Sequence, residues 1–433
     1  MGAMSFDHGG RKGVPHFMQT TDDIVSVSFD RFPAAKGAAT HISAFASALG
    51  EQFERVHLLT VEPLLDAPQW SAKGVIHQPL RVDGGTLFER VISFQTRMWH
   101  WWRHRFGALG TRPRFAHFRS IFEGFPIARD KAQFCDRIIY EVNALPSIEL
   151  KYHYPNVADD RELLAKLREQ ERVCLEAADR IIVVSEVTRR HLLSRGVDDS
   201  KIELIRNGVD LGLFAYHEAR DWSSSPPSAE YPIRLLYSGT MSGWQGVAHA
   251  IDALALLNRD VPVKLTLVGP ARPRQRKFLT ELAWRLGVSD HLHWQDAVDQ
   301  PQLAALHAAH DVVLSPLTRC DRNCDQGCCP LKVLEALSCG TPLVASDLEV
   351  VRELCRNDEH ALLVKPNSGK SIKDAVLRLV ASPGLAQTLS LAGRRHVEQH
   401  FDWRRSQAAL CDLYRRAATD VRMRDRVYDS GLE

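Results

Sequence analysis

The sequence lacks the features that would place it in several specialised classes of protein. No run of about 18 apolar residues occurs in the 433-residue chain, so we expect no membrane-spanning helix. Residues 1–20 also lack the continuous apolar core of a secretory signal. Lys and Arg number 55 against 53 Asp and Glu, a balance that argues against a dedicated nucleic-acid binder. We therefore expect a cytoplasmic globular protein with no nucleic-acid partner.

Cysteine usage gives no sign of a disulfide framework. The chain has nine cysteines, an odd number, and without an export signal we expect them to be reduced. Four of them lie close enough in sequence to suggest zinc or an iron–sulfur cluster: Cys320, Cys324, Cys328 and Cys329. Their spacing lacks the usual pair of cysteines separated by two residues. We therefore favour plain cysteines and predict neither a metal nor any other cofactor.

Short β-rich runs alternate with longer helical stretches, which is typical of α/β folds with parallel sheets and helices on both faces. A segment rich in Ser and Pro, at residues 221–232, divides the predicted strands into two series. The first series covers residues 24–29, 56–61, 138–142, 181–184 and 202–205. The second covers residues 235–237, 264–268, 292–294, 312–314, 343–345 and 362–364.

The two series predict two doubly wound, Rossmann-like domains, at residues 24–212 and 232–395, followed by a helical tail at residues 396–433. Open parallel sheets bind ligands beyond the carboxyl ends of their strands. Two such sheets facing each other therefore predict a cleft that suits a pair of substrates.

Two glycine-containing loops each connect a predicted strand to a predicted helix. In the first domain Gly37 and Ala38 precede His41, and such small residues let a ligand approach the backbone closely. The helix N-terminus there favours phosphate, although an ordinary turn explains the same residues. The loop at residues 239–246 has three glycines, but their spacing differs from the dinucleotide fingerprint. We therefore predict no nicotinamide enzyme.

A third helix start carries more chemistry. Pro330 suits the first turn of a helix, and Lys332 and Glu335 follow it. Backbone amides, a cation and a carboxylate that accepts hydrogen bonds from vicinal hydroxyls together suit a sugar nucleotide. The alternative is that Glu335 merely solvates its helix.

Four segments give the chain a resemblance to a known family. They are residues 182–186 (IVVSE), residues 207–214 (NGVDLGLF), the loop at residues 239–246 and residues 330–347 (PLKVLEALSCGTPLVASD). In the order and spacing of these segments, residues 24–415 resemble the retaining GT-B glycosyltransferases of family 4. The departures from the family pattern described below resemble an exopolysaccharide-type subgroup.

The resemblance implies two Rossmann-like domains that face each other across a cleft, with a C-terminal helix that packs back on the first domain. It also implies that a sugar is transferred from a nucleoside diphosphate, UDP- or GDP-linked, to an acceptor hydroxyl, with retention of configuration and without a divalent metal. We expect the acceptor to be a lipid-linked or polysaccharide intermediate. The alternatives are a sugar-nucleotide epimerase or hydrolase of the same fold, or a non-catalytic partner that binds sugar nucleotides.

Roles for individual residues follow from the resemblance. Glu335 is expected to bind the ribose, Lys332 the diphosphate, and Asn143 to approach the reacting centre from the first domain. The other residues expected to bind the donor are Gly239, Thr240, Gln245, Asp296, Val298, Gly327, Cys328, Cys329 and Leu331. Those expected on the acceptor side are Gly37, Ala38 and His41.

The chain departs from the family pattern at two positions that would face the sugar. Gly327 stands where the family has the first of two glutamates. The contacts to the donor sugar are therefore expected from Asn323, from Gln326 or from the backbone amides of Cys328 and Cys329. Asn143 stands where the family has a histidine.

Two further departures concern the charge that balances the diphosphate. Thr240 and Gln245 stand where the family has an Arg and a Lys. Lys332, together with Arg272 or Arg274, is therefore expected to supply the positive charge.

A basic, aromatic stretch runs from residue 90 to residue 122 without one acidic side chain. Its arginines interleave with aromatic residues such as Trp99, Trp101 and Trp102, a mixture that suits an anionic membrane interface or a lipid-linked acceptor. We predict that the segment from Arg97 to Arg119 contacts a membrane, which would make the protein peripheral on the inner face. The alternative is that the aromatic residues form core and the arginines a solvated face.

Overall fold

The computed structural model describes residues 18–65, 67 and 69–429, and the side chains of these up to residue 419. Its first sheet consists of β1 (Gln19–Arg31), β2 (Val56–Val61), β3 (Val75–Leu80), β4 (Thr111–Phe118), β5 (Arg137–Val142), β6 (Arg180–Val183) and β7 (Ile202–Leu204). Its second sheet consists of β8 (Ile233–Ser238), β9 (Val263–Val268), β10 (Leu292–Gln295), β11 (Val312–Ser315), β12 (Leu343–Ser346) and β13 (Leu362–Val364).

Helices connect the strands in both halves of the chain. Those of the first half are α1 (Gly37–Gln52), α2 (Leu87–Arg105), α3 (Ile121–Arg129), α4 (Lys131–Phe134), α5 (Pro146–His153), α6 (Arg161–Ala177) and α7 (Glu186–Ser194). Those of the second half are α8 (Val247–Leu257), α9 (Pro273–Arg285), α10 (Gln300–Ala309), α11 (Leu331–Cys339), α12 (Glu349–Arg352), α13 (Gly369–Ala381), α14 (Leu385–His400) and α15 (Trp403–Asp429).

Both sheets are parallel and doubly wound. The strand order is β3-β2-β1-β4-β5-β6-β7 in the first sheet and β10-β9-β8-β11-β12-β13 in the second. The order reverses between β1 and β4 and between β8 and β11, and open sheets bind ligands beyond the strand ends at such points. The predicted α/β architecture of two Rossmann-like sheets is confirmed.

Two strands of the first sheet, β3 and β4, are absent from the strands predicted above. The edge strand β3 is only half-buried, and its sequence VIHQPL has no continuous apolar run that would have indicated a strand. Strand β4 begins with the polar residues Thr-Arg-Pro-Arg inside the basic, aromatic stretch. Its last four residues are buried between β1 and β5, inside the segment that was predicted to contact a membrane.

The C-terminal helix α15 returns to the first sheet and packs against α1. Its Gln407 amide donates to the carbonyl of Ala44 at 2.9 Å, and the side chains of Leu410, Leu413 and Tyr414 are buried there. The prediction that a C-terminal helix packs back on the first domain is confirmed.

The chain crosses to the first sheet beside the Asn-Gly-Val-Asp segment. The Val209 amide donates to Phe401 O at 2.8 Å, and the Trp403 amide donates to Val209 O at 3.3 Å. A Cβ atom at Gly208 would lie 2.6 Å from the Trp403 backbone. Only glycine therefore lets the two segments cross this closely.

The basic, aromatic stretch forms mostly core, not surface. Trp102, Phe106, Phe115 and Phe118 are buried within the first sheet and its helices, and of the predicted tryptophans only Trp99 is exposed, by 40%. Five of its seven arginines pair with acidic residues from outside the stretch: Arg97 with Asp83, Arg105 with Asp23, Arg112 with Asp136, Arg114 with Asp22, and Arg119 with Asp30 and Glu141. The predicted membrane surface is therefore much smaller than the sequence suggested.

Within the described residues, no single helix is long and apolar enough to cross a membrane. The pair α13 and α14 meets that length and composition test only jointly, with a bend of 105° between the two helices. Apolar residues of both helices pack in the core of the second sheet.

Candidate active site

A cleft of about 1190 Å³ lies between the carboxyl ends of the two sheets. Its lining includes Arg31, Lys36, Thr40, Trp70, Gly208, Leu213, Pro270, Ala297, Asp299, Leu331, Glu335 and Trp403. A Cβ atom added at Gly37 would lie 3.1 Å from Leu331 Cδ1, so the start of α1 faces the start of α11. The predicted acceptor-side and donor-side helix starts therefore meet at this cleft.

Lys332 lies in the first turn of α11, buried beneath the loop that follows β8. Its Nζ donates to Gln245 Oε1 at 2.7 Å and lies 4.2 Å from the ring centroid of Tyr237. A Cβ atom at Gly239 would lie 3.0 Å from the same Nζ. The structure thus brings together three of the residues predicted to bind the donor, and the ammonium keeps two further hydrogens for a ligand.

Glu335 follows one turn later, and its side chain lines the cleft. The residue is 5% exposed, and no donor of the described residues makes a hydrogen bond to its carboxylate. Its nearest basic neighbour is His307, with Nε2 4.0 Å from Oε2. This burial does not fit the alternative that Glu335 merely solvates its helix, and it leaves the carboxylate open toward the cleft.

Burial shifts the titration of both α11 side chains toward the neutral form. It raises the pKa of Glu335 to about 7, although the charge of Lys332 works against this rise. It lowers the pKa of Lys332 to about 7, although the charge of Glu335 works against this fall. Burial also lowers the pKa of His307 to about 3, so this imidazole is neutral at physiological pH. Strongly perturbed groups beside a cleft are typical of functional sites.

Other predicted donor residues lie at the edge of this arrangement. The carbonyl oxygen of Thr240 accepts from the Tyr237 hydroxyl at 2.6 Å. Asp296 is exposed, and its Oδ1 lies 3.4 Å from Arg276 Nη1. Val298 packs against the apolar cluster that contains the buried side chains of α11. The residues of that loop that line the cleft are Ala297 and Asp299, not the predicted Asp296 and Val298.

Gly327 does not face the cleft. Its φ is +82°, and a Cβ atom there would lie 2.5 Å from Ser185 Oγ and 2.8 Å from Thr188 Oγ1, at the start of α7. A glutamate cannot occupy this position without moving the two halves of the chain apart. Gly327 is not among the residues that line the cleft, so this packing gives no support to the prediction that Gly327 binds the donor.

The residues predicted to replace the missing glutamate are engaged elsewhere. The Asn323 amide donates to Trp244 O at 3.0 Å and to Thr318 O at 2.8 Å. Gln326 Oε1 accepts from the Leu145 amide of the first half at 3.1 Å. Neither side chain is available to a sugar in this arrangement.

The segment before α11 is held to the first half of the chain by charge as well. Arg322 Nε lies 2.9 Å from Glu149 Oε2, and the guanidinium lies 4.6 Å from the ring centroid of Trp244. Burial alone would raise the pKa of Glu149, but Arg322 and its neighbours outweigh it and hold the pKa at about 2. Residues 320–329 therefore form an interdomain contact.

Cys328 and Cys329 are buried and are not part of the cleft lining. The Cys329 carbonyl accepts a hydrogen bond from Asn207 at 2.8 Å, and the Cys328 thiol lies 3.9 Å from Asn323 Oδ1. Among the described residues, no group of three or more His, Cys, Asp or Glu side chains is placed to hold a metal ion.

His41 and Asn143 belong to a buried polar network at the carboxyl end of the first sheet. His41 Nε2 lies 2.7 Å from Glu141 Oε1, and Asn143 donates to the same carboxylate. His41 Nδ1 lies 2.8 Å from Asn207 Oδ1. Since Asn207 also reaches the Cys329 carbonyl, the network joins the first sheet to the segment before α11. His41, predicted on the acceptor side, is thus buried and is not among the residues that line the cleft, and Ala38 is half-buried on α1.

Sequence reasoning missed the centre of this network. Burial alone would raise the pKa of Glu141, but the charges of His41 and Arg119 hold it well below its usual range. His117 Nε2 lies 3.2 Å from the same carboxylate, and its Nδ1 lies 2.8 Å from the hydroxyl of Tyr414 on α15. A glutamate within a run of apolar strand residues (IIYEV) was the one signal in the sequence.

Comparison with known proteins adds to this geometry. Residues 35–213 match the family model described as Glycosyltransferase Family 4, and residues 219–396 match the one described as Glycosyl transferases group 1. The chain belongs to the family 4 type of glycosyltransferases.

Relatives of this glycosyltransferase are distant in sequence. It is 20% identical to an uncharacterized glycosyltransferase of Methanocaldococcus jannaschii, over 89% of this chain and 96% of the relative. It is 28% identical to the D-inositol 3-phosphate glycosyltransferase of Streptomyces bingchenggensis, over 61% of this chain and 58% of the relative.

Solved structures share the two-sheet fold of this glycosyltransferase. Sucrose-phosphate synthase from Thermosynechococcus elongatus superposes with a TM-score of 0.75 at 22% identity, over 92% of this chain and all of the other. Anabaena HepE in complex with UDP and glucose superposes with a TM-score of 0.69 at 16% identity, over 91% and 99%.

The packing of Gly327 generates a first prediction. We expect Gly327→Glu to lower the free energy of unfolding by at least about 2 kcal/mol, because a side chain there is strained at positive φ and collides with Ser185. The measurement is urea denaturation. Gly243→Ala is the control, since no atom lies within 4 Å of a Cβ at Gly243, and its change should stay within about 0.5 kcal/mol. A Gly327→Glu variant as stable as the unchanged chain would contradict the described packing.

The raised pKa of Glu335 generates a second prediction. The folded chain retains this proton up to a pKa of about 7, whereas the unfolded chain releases it near the ordinary value of 4.5. Folding stability contributed by this group is therefore lost as the pH rises from 5 to 7. Glu335→Gln removes that loss. Between pH 5 and pH 7 the free energy of unfolding of the variant should therefore rise by about 1–3 kcal/mol relative to that of the unchanged chain. Denaturation curves at pH 5 and pH 7 measure it, and parallel pH dependences would contradict the burial of the acid.

Proposed function

We propose that this glycosyltransferase moves a hexose-type sugar from a nucleoside diphosphate to an acceptor hydroxyl, with retention of configuration and without a divalent metal. The observation that carries the proposal is the buried carboxylate of Glu335, which lines the cleft one turn after the Lys332 ammonium. A carboxylate can accept hydrogen bonds from the two vicinal hydroxyls of a ribose, and a cation can contact phosphate. Together they match a nucleoside diphosphate.

UDP is the nucleotide that we propose for the donor. Anabaena HepE, which shares the fold, is described in complex with UDP and with UDP-glucose. The proposed arrangement puts the ribose on Glu335, the diphosphate on Lys332 and the start of α11, and the base near Ala297. It requires no side chain at Gly327.

The proposed reaction takes place on one face of the sugar. The bond from the anomeric carbon to the acceptor oxygen forms as the bond to the phosphate oxygen breaks, and that phosphate oxygen takes the proton of the acceptor hydroxyl. Lys332 and the positive end of the α11 dipole stabilise the negative charge that develops on the leaving group. The closeness of Gly37 to Leu331 supports an acceptor that reaches the donor across the cleft.

We further propose a lipid-linked or polysaccharide acceptor and a peripheral position on the cytoplasmic face of a membrane. Support comes from an exposed stripe along α2 formed by Phe88, Ile92 and Trp99, with the Arg103 guanidinium 5.2 Å from the Trp99 ring. Exposed apolar side chains beside a cation suit an anionic lipid surface.

Donor binding is tested by the thermal stability of the chain with UDP-, GDP-, ADP- and dTDP-glucose. We expect UDP-glucose to raise the melting temperature most, because a ligand bound by the native state stabilises it. Glu335→Ala should weaken that binding about 10- to 100-fold, because hydrogen bonds to the carboxylate are lost.

Glu176→Gln is the control for the same measurement, because Glu176 is exposed on α6 and pairs with Arg172. Binding that survives Glu335→Ala would refute the assigned site. Product analysis then separates the chemistries: a glycosylated acceptor supports transfer, free sugar indicates a hydrolase, and tight binding without turnover indicates a non-catalytic protein.

Membrane attachment through α2 is tested with vesicles. Changing Phe88, Ile92 and Trp99 together to Ser should reduce binding to phosphatidylglycerol-containing vesicles without loss of fold, because all three side chains are exposed. Trp102 must stay, since it is core. Unchanged binding in a sedimentation assay would remove the support for the α2 surface.

A further inference from the structure

Helix α9 of the second sheet has an exposed face that nothing above assigns. At 100° per residue, six side chains fall within an arc of about 120° on the side opposite the buried Leu279 and Ala283. They are Arg274, Lys277, Phe278, Glu281, Trp284 and Arg285. We call this set the α9 face.

Two large aromatic rings dominate the α9 face. Phe278 is 52% exposed and Trp284 is 75% exposed. Neither ring contacts another aromatic ring or a cation within the described part of the chain. A tryptophan this exposed on a regular helix leaves apolar surface in water, which is unfavourable unless a partner covers it.

The charge of the α9 face is predominantly positive. Three cations accompany a single acid, Glu281. Lys277 lies 3.9 Å from Glu281, and among the described residues no acidic side chain lies within ion-pair distance of Arg274 or Arg285. The aromatic rings are therefore flanked by two arginines whose charge is not neutralised locally.

The N-terminal end of α9 lies next to the cleft. Pro270, three residues before the helix, lines the cleft. Arg272 donates to the carbonyl of His153 on α5, and its guanidinium lies 5.1 Å from the ring centroid of Tyr154. A surface bound to α9 would therefore lie close to the place where the two halves of the chain meet.

We propose that the α9 face is a membrane-contact surface that binds anionic lipid headgroups, with Trp284 and Phe278 inserted at the level of the headgroups. Tryptophan prefers this depth because its ring is amphipathic. Arginines bind phosphate oxygens, and their stems add apolar contact. An anionic membrane matches both properties of the face. Its negatively charged headgroups match the arginines, and the apolar layer beneath them matches the aromatic rings. This surface does not depend on the proposed sugar transfer.

The test is co-sedimentation of the full chain with vesicles of pure phosphatidylcholine and of phosphatidylcholine with 30% phosphatidylglycerol, a composition of about one anionic lipid in three. We expect binding to the anionic vesicles only. Binding should be weaker at about 0.5 M salt than at about 0.1 M, because the screening length is about twofold shorter. The double variant Phe278→Ser with Trp284→Ser should lower the apparent affinity at least tenfold, about the effect expected for two buried aromatic rings. Arg274→Glu with Arg285→Glu should lower it similarly, since each charge near the surface contributes on the order of a fivefold change.

Tyr231→Ser is the matched control, because Tyr231 is an aromatic residue of similar exposure, 66%, outside the α9 face. It should bind as the unchanged chain does. Thermal melting confirms that each variant folds, as expected for exposed positions. Vesicle binding that is unaffected by both α9 double variants overturns the proposal, even if the α2 variant abolishes it. Self-association that the α9 variants abolish, without any vesicle binding, identifies a protein interface and also overturns it.

Discussion

The burial of two opposite charges one turn apart on α11 is the constraint on which the rest of the candidate site depends. A buried ion is costly unless it is paired or hydrogen-bonded, and Lys332 makes one hydrogen bond while Glu335 makes none among the described residues. Burial therefore shifts the pKa of each side chain toward the value that favours the neutral form. A ligand that offers negative charge to Lys332 and hydroxyl groups to Glu335 relieves both penalties, so the site gains from the ligand what it lacks in the protein.

The position of α11 is fixed from the other half of the chain. Asn207 connects the carbonyl before α11 to His41, and Gly327 fits against Ser185 and Thr188 without room for a side chain. Arg322 and Glu149 form a charged contact across the same boundary. A donor bound by α11, as proposed, would consequently be placed relative to the first sheet by packing and hydrogen bonds, which is what transfer between two bound substrates requires.

Two exposed apolar surfaces lie on helices outside the cleft. Phe88, Ile92 and Trp99 lie on α2, and Phe278 and Trp284 on α9. Each set accompanies arginine, so both surfaces combine apolar area with positive charge. Other aromatic residues of the basic, aromatic stretch, such as Trp102 and Phe118, form the core of the first sheet instead. The basic, aromatic stretch therefore contributes side chains to the core as well as to the surface.

The sequence by itself determined the features that depend on local pattern. Alternating apolar runs and helical stretches predicted two parallel sheets, and the spacing of Lys332 and Glu335 put them on adjacent turns of one helix. The tertiary structure alone decided which groups meet over long separations. Strand β4 is a strand because β1 and β5 cover it, and His41 is buried where Glu141 lies beside it. Position 327 has no room for a side chain because a Cβ there would collide with Ser185. Burial is the sum of contacts between residues distant in the chain, and no window of sequence contains both partners of such a contact.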